Sequence, residues 1–564
     1  MFWIHATDTS SEEIAMPPTT PTDRRQLSRR SLFRGAGALG LGVGLTSLLN
    51  ACGVASPGGG GGGTAGGTLT VGTDATSGVF DPAFYTTLGD WMVVDSVCRG
   101  LTFCDFTDPE PRPDLAESWT VSEDGLTYEF ALRQGVTFHD GTTFTSADVL
   151  ASLNRQLNAD DPTLPDGASR SFQSLGRNLV SLDAPDERTV RIVLHGPDGT
   201  LLARLSDIGA RVISKAALDR HGADIGKNLV GTGPFRLTAA TAGQSVTLEA
   251  FDGFTGGRPP VDRVVMQQVQ DSSTMIGSLI SGAVSVTQFT PYSAVGQLRA
   301  NDAVTVHDTP YCYDAMLLMD VRRPALAELG VRRAINLAID RQAILDQAFF
   351  GVGTLPAGYA VPPSMPGHDP SLADLSRTDV AEARRLIEAA GAVGREVRLM
   401  AASDTWHPRA AQVIAQNLTD IGLRVVSDSV DPAAFFSRVM DTDDPYHEII
   451  VWERNSYVPD PDNTVGNMAV PRGVYGSSAT GFDTLPGTAR FTEDTVAARN
   501  MPIGPERTAA YSAIQRRWAE DFMVLSMLVH STNLVVTGAS VSGVNVNALS
   551  THRCFLEDAS VSGA

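Results

Sequence analysis

Residues 397–451 alternate strand and helix in an order that restricts the fold of this chain more than any other feature. Val397 to Ala401 reads as a strand, Pro408 to Gly422 as a helix stopped by glycine, and Leu423 to Val426 as a second strand. Pro432 to Met440 is a further helix and Glu448 to Val451 a third strand. Successive strands joined through helices pair in parallel, because only antiparallel neighbours can be linked by a tight turn. A parallel sheet covered by helices is therefore expected here. Upstream, Val331 to Phe349 and Asp379 to Ala390 carry the apolar spacing of amphipathic helices.

The rest of the body is richer in strands. Thr68 to Gly72 alternates as a strand, Asp90 to Arg99 reads as a helix, and Leu101 to Phe103 as a short strand. Trp119 to Val121 and Thr127 to Leu132 flank Asp124-Gly125, a step that favours a hairpin with positive φ. Thr145 or Ser146 caps a helix from Ala147 to Leu157, with Asp148 in its first turn. Strands resume at Thr189 to Leu194, after the Gly231 to Phe235 turn, and at Asn533 to Val536.

At 564 residues and 42% hydrophobic composition, the chain is too long for one core and too apolar to stay disordered. Its 43 Lys+Arg against 64 Asp+Glu leave a net charge of -21, which repels polyphosphate and argues against a nucleic-acid partner. The five cysteines form no CxxC pair, which excludes a zinc ribbon or thioredoxin-type site. Cys52 aside, the four others allow three pairings, of which Cys98–Cys104 with Cys312–Cys554 is preferred for the closeness of the first two, or four free thiols.

Residues 1–51 read as an address. Ser28 to Arg34 contains Arg29-Arg30 and resembles a twin-arginine export signal, with Met1 or Met16 as the start. The apolar run Gly35 to Leu49 reaches only about 22 Å as a helix, too short to span the hydrocarbon core. It ends in Leu49-Asn50-Ala51-Cys52, which resembles a lipobox with Cys52 as the acylated residue. Residues 52–67, with glycines from Gly58 to Gly63, form a flexible tether. The expected location is the extracytoplasmic face of the cell membrane, reached by the twin-arginine route and held by lipid alone.

No catalytic constellation is visible. GxSxG, HExxH and SxxK are absent, and the ten histidines do not cluster at metal-ligand spacing, so neither a cofactor nor a metal is expected. His139-Asp140-Gly141 reads as a turn between a strand and a capped helix.

Several ordered blocks carry a family resemblance over the whole mature chain. They are Pro113 to Trp119, Asp124 to Tyr128, Leu132 to Gly141 and Phe144 to Val149, followed by Gly231 to Phe235, Val331 to Asp340 and Trp452 with Asp460-Pro461. Together they resemble the family 5 extracellular solute-binding proteins, the peptide/nickel-type receptors of ABC importers. The resemblance implies an α/β, two-lobed periplasmic-binding-protein type II fold with an extra β-rich domain. Domain I would be discontinuous (67–100, 230–307 and 525–564), domain II would span 101–229 and domain III 308–524, with hinge crossings near 307 and 525. It further implies a monomer that closes on a small-molecule or peptide ligand and presents it to an ABC permease and ATPase complex. A metal chelate or glycoside is the alternative cargo. A hydrolase or a ligand sensor on the same scaffold is the alternative of another class.

Ligand contacts follow by position. Trp452 sits after a strand, at its carboxyl end, where open α/β sheets bind ligands. In peptide-binding relatives the matching Trp precedes an Asp that pairs with the peptide amine. Here Asn455 occupies that place counted from Trp452, and Tyr457 occupies it counted back from Pro461. Neither is a carboxylate, and Glu453 is expected to point away from the cleft. Recognition is therefore expected from aromatic walls and neutral donors: Trp452, Tyr457, Tyr292 and Asn455, with Tyr311, Tyr313, Trp406, Phe80 and Tyr85 around the opening.

Overall fold

The computed structural model describes residues 66–562, apart from 74, 85–86, 106–109, 169–174, 177, 288–289, 441–446, 456–459, 467–478 and 547–554. Arg29, Arg30, Cys52, Tyr85, Tyr457 and Cys554 lie outside the described residues, and of Tyr311, Cys312, Tyr313 and Asn455 only the backbone is described.

One ten-stranded sheet runs through the molecule. Its order is Arg424–Val430, Glu396–Ala402, Ile449–Asn455, Val304–Met319, Leu525–Gly538, Val286–Thr287, Thr68–Thr73, Arg263–Gln268, Ser245–Ala250 and Phe235–Thr241. Glu396–Ala402 pairs in parallel with both Arg424–Val430 and Ile449–Asn455, as the alternation of strands and helices requires. Ala315 to Met319 is wholly buried under a cover of helices, so the strand reads as one apolar run. Helices Leu329–Ala338, Val380–Ala389 and His407–Asp420 supply that cover.

The sheet serves two lobes. One core gathers Leu69, Val93, Phe235, Leu248, Val264 and Val535, and another gathers the side chains of residues 315–529. Leu525–Gly538 contributes to both, Leu525 to Val529 on one side and Val535 on the other, and Val304–Met319 runs beside it, pairing antiparallel from Val304↔Gly538 to Leu318↔Leu525 with a register shift between Thr309 and Tyr313. Beside that shift, Asp314 bonds both Arg454 and His530, and all three side chains are buried. Burial, then the positive charge of Arg454, pushes the His530 imidazole down to about 3, so it is neutral. Arg454 also donates to Thr464 O at 3.1 Å, fixing the chain beyond the strand that carries it.

A separate antiparallel sheet, Ala116–Val121, Thr127–Leu132, Thr189–Leu194 and Leu179–Asp186, has its own core with helix Ser146–Leu157. Thr145 and Asp148 form that helix's capping box, and Gly125 at φ +70° makes the expected hairpin turn. The chain enters and leaves this region side by side, with Arg99 bridged to Val212.

Three expectations need correction. Val331 to Phe349 is two helices, Leu329–Ala338 and Arg341–Ala348, because the Asp340 carboxylate accepts from Ala343 N and starts a new helix. The third strand extends to Asn455, so Trp452 lies within it and not beyond its carboxyl end. Cys98 and Cys104 are free and buried. Cys98 packs into the core around Leu69, whereas Cys104 joins the core of residues 315–529 beside the Ser206 hydroxyl, so the two thiols face different cores.

Asp314→Ala leaves Arg454 buried without its carboxylate, a loss that typically costs about 3–5 kcal/mol. The expected outcome is an earlier calorimetric transition for the lobe of residues 315–529. An unchanged transition would mean that the Thr464 carbonyl suffices for Arg454.

Candidate functional site

A chain of rings crosses between the lobes. Tyr292, from the turn after Val286–Thr287, stands 5.2 Å from Phe349 at the end of helix Arg341–Ala348. Phe349 lies 4.9 Å from Trp406, and Trp406 stacks on His407 at 4.1 Å. Phe435 follows at 6.2 Å from His407 and stacks with Trp452 at 5.5 Å. The backbone is strained where it sets two of these rings. Thr405 has φ +52° and Phe350 φ +55°, a left-handed conformation uncommon for β-branched and bulky residues.

Glu453 lies among the rings. Its Oε2 accepts from Trp406 Nε1 at 3.3 Å and is 3.6 Å from His407 Nε2. Its side chain remains 36% exposed although protein surrounds it. Burial pushes its carboxyl up to about 7, and no Lys or Arg pairs with it among the described residues. Burial likewise pushes His407 down to about 4, so the imidazole stays neutral, with Nδ1 3.0 Å from Thr405 Oγ1. The Tyr292 hydroxyl is held protonated first by burial; its Ser531 hydrogen bond opposes that, and the nearby Glu453 charge adds to it.

The structure thus brings together Tyr292 and Trp406, with Trp452 behind them. It does not bring Phe80, which is fully buried in the core around Leu69 with its N–H on Gly226 O. Asn455 and Tyr313 are paired backbone to backbone at the strand's end. Glu453 does not point away, contrary to expectation. Sequence reasoning also missed Phe349, His407 and Phe435. For Glu453 a signal existed: strand residues alternate faces, so once the strand runs through 455, Trp452 and Glu453 must point oppositely. A surface hollow of about 400 Å³ near Gly67 lies apart from this cluster, and its charges already pair, Arg258 with Asp252 and Asp262 and Arg263 with Glu249.

Among the described residues no group of His, Cys, Asp or Glu is placed to hold a metal ion, and no helix is long and apolar enough to cross a membrane. Two lobes built on one shared sheet, with a carboxyl group and rings between them, give the two-lobed type II periplasmic-binding-protein fold. The family "Bacterial extracellular solute-binding proteins, family 5 Middle" matches residues 110–476, and the chain belongs to that family.

Among its relatives is the glutathione-binding protein GsiB of Salmonella typhi, 33% identical over 298 residues, 53% of this chain and 56% of that protein. GsiB of Escherichia coli O1:K1 / APEC is 35% identical over 252 residues, 44% of this chain and 48% of the other. The chain thus matches about half the length of these curated relatives. Among solved structures, DppA from Helicobacter pylori in complex with peptide STSA superposes with TM-score 0.75 at 24% identity, covering 88% of this chain and 99% of that one. NikA from Brucella suis in complex with Fe(III)-EDTA gives TM-score 0.75 at 21% identity, covering 88% and 100%. These likenesses establish the fold.

The Glu453 carboxyl gives a pH prediction. Its folded value of about 7 lies above the ordinary 4.5, so the folded chain holds this proton more tightly than the unfolded chain. Wild-type stability is therefore undiminished by this group below pH 4.5 and declines as pH rises from 4.5 to 7. Glu453→Gln should remove that decline. Its melting temperature should match wild type at pH 4.5 and exceed it at pH 8; equal melting at both values would place the carboxylate in ordinary solvent.

Proposed function

We propose that this protein is a lipid-anchored, extracytoplasmic receptor that captures an oligopeptide or peptide-like solute and delivers it to an ABC permease and its ATPase. The observation that carries the reading is Tyr292 of one lobe facing Phe349, Trp406 and Glu453 of the other. Rings of this kind grip an amphipathic ligand through their faces, and closing the lobes removes water from both sides at once. The lobes would be domain I with domain II (67–100, 230–307 and 525–564 with 101–229) and domain III (308–524). Rotation would centre on the register shift between Thr309 and Tyr313. Cys52 would carry the lipid, and Arg29 with Arg30 would direct export. The receptor would act as a monomer and as a binder, not an enzyme.

The cleft's polarity favours a ligand with a positive group. Glu453 sits beside a neutral imidazole and an indole N–H, so an ammonium seated on its open edge would restore the charge that burial suppresses. A negatively charged chelate would meet that carboxylate unfavourably, which sets a peptide ahead of a chelate. Binding by aromatic walls and neutral donors alone gives way to walls plus one carboxylate.

Calorimetric titration with a bound tripeptide in free and N-acetylated forms tests this. Acetylation should weaken binding more than tenfold, about 1.4 kcal/mol or above. Trp406→Ala should weaken both forms, because it removes a ring wall and the donor that orients Glu453. A loss below tenfold on acetylation would return recognition to neutral groups. For the anchor, Cys52→Ala should release the protein into the medium or leave an uncut precursor, and retention on membranes with normal mobility would refute lipidation.

A further inference from the structure

A second contact joins the lobes away from the ring cluster. The turn Asp198–Thr200 is rigid on its own side. Asp198 Oδ1 accepts from Thr200 N at 2.9 Å and from its hydroxyl at 2.6 Å, and the Tyr128 hydroxyl donates to Asp198 O at 3.1 Å. Asp198 and Thr200 are both buried. Opposite them ends the helix Thr488–Arg499, where Asn500 N bonds Val496 O and Met501 N bonds Ala498 O, each at 3.2 Å, and the Arg499 and Met501 carbonyls face the turn. Gly199 is seated directly on that end. A Cβ there would lie 2.9 Å from Met501 O and 3.2 Å from Arg499 O, both main-chain atoms with no flexible side chain to give way. Against burial, the Asp462 charge first and the Asp198 charge more weakly hold the Arg499 guanidinium protonated, so a weak attraction crosses the same gap.

The helix end is wired to the cleft. Arg499 Nε pairs with Asp462 at 2.7 Å, and Arg507 holds Asp460 with two bonds of 2.7 and 2.8 Å while donating from Nε to Ala498 O. Asp460 and Asp462 lie shortly beyond the strand that bears Glu453, and the Tyr511 hydroxyl donates to Asp462 at 2.9 Å. The cleft-lining strand's exit and the docking helix therefore move as one piece.

We propose that this contact is a closure latch: the Asp198–Thr200 turn seats on the carbonyl end of helix Thr488–Arg499 when the lobes meet, and only glycine at 199 lets it seat. The inference rests on the reading of the lobes as a closing pair, and its test uses no ligand, so its failure and a failure of the peptide-receptor reading are separate results. The chain carries its own reporter. Cys104 and Ala203, from the same lobe as the turn, are buried in the core of the other lobe's residues, whereas Cys98 is buried within the core around Leu69. Opening the lobes uncovers Cys104 and leaves Cys98 covered. Burial pushes the Cys104 thiol up to about 12 and the Cys98 thiol higher still, so each reacts only when its cover is lifted.

The experiment alkylates the ligand-free mature chain under native conditions, with site-by-site mass spectrometry and small-angle scattering in parallel. Gly199→Val should speed Cys104 labelling at least tenfold, leave Cys98 labelling unchanged and enlarge the radius of gyration. Gly199→Ala should fall between that variant and wild type, and it decides the matter if the valine variant labels at both thiols. Wild-type Cys104 rates in Gly199→Ala, with Cys98 protected, would overturn the latch. So would equal labelling of both thiols in both variants, since the contact would then be fixed packing within one body.

Discussion

Everything in this molecule hangs on the pairing of Val304–Met319 with Leu525–Gly538. Leu525–Gly538 contributes to both lobe cores, Val304–Met319 pairs along its length, and the two carry the middle of the ten-stranded sheet. Their register shifts between Thr309 and Tyr313, which interrupts the ladder where one lobe gives way to the other. An interrupted ladder alone would be loose. Asp314, Arg454 and His530 tie the three neighbouring strands together there, and a buried charge set of this kind holds only in one register. Two further buried cations grip the same strand's approach from the helix side. Arg332 donates to Phe522 O and Arg341 to Met527 O, so main-chain carbonyls and not acids receive them.

The electrostatics of the cleft follow from that frame. The strand that gives Arg454 to the charge set gives Glu453 to the opposite side, since neighbours on a strand face apart. One residue is satisfied in the interior, while the other stands among rings with only an indole donor and a neutral imidazole. Strain at Thr405 holds that indole in place, so the loop before helix His407–Asp420 stores energy where the rings must be set.

Much of the fold was legible because it rests on local rules. The parallel layer at 396–455, the Asp124-Gly125 hairpin, and the Thr145–Asp148 cap follow from periodicity, turn chemistry and capping. The helix break at Asp340 was missed because an N-cap inside an apolar-periodic stretch is a weak signal beside the periodicity itself. The site was read less well. Tyr292 and Trp406 meet in one ring cluster, whereas Phe80 goes to the core, since an aromatic at a loop packs inward wherever a core lies beneath it. Glu453 was misread through a strand ended four residues early. Phe349, His407 and Phe435 come from separate helices whose meeting depends on tertiary packing, which spacing along the chain does not encode.

The side-by-side entry and exit at Arg99 and Val212 give the four-stranded region the topology of a graft. Its sheet shares no strand with the ten-stranded one, and backbone bonds of Arg99 with Val212 and of Gly233 N with Val97 O mark where both chain ends pass. Such a segment is replaceable without cutting any ladder on which the lobes depend, whereas every cut within the large sheet severs pairs drawn from distant parts of the sequence. A change of size or shape there is thus absorbed locally, and the strand order of the large sheet is left untouched.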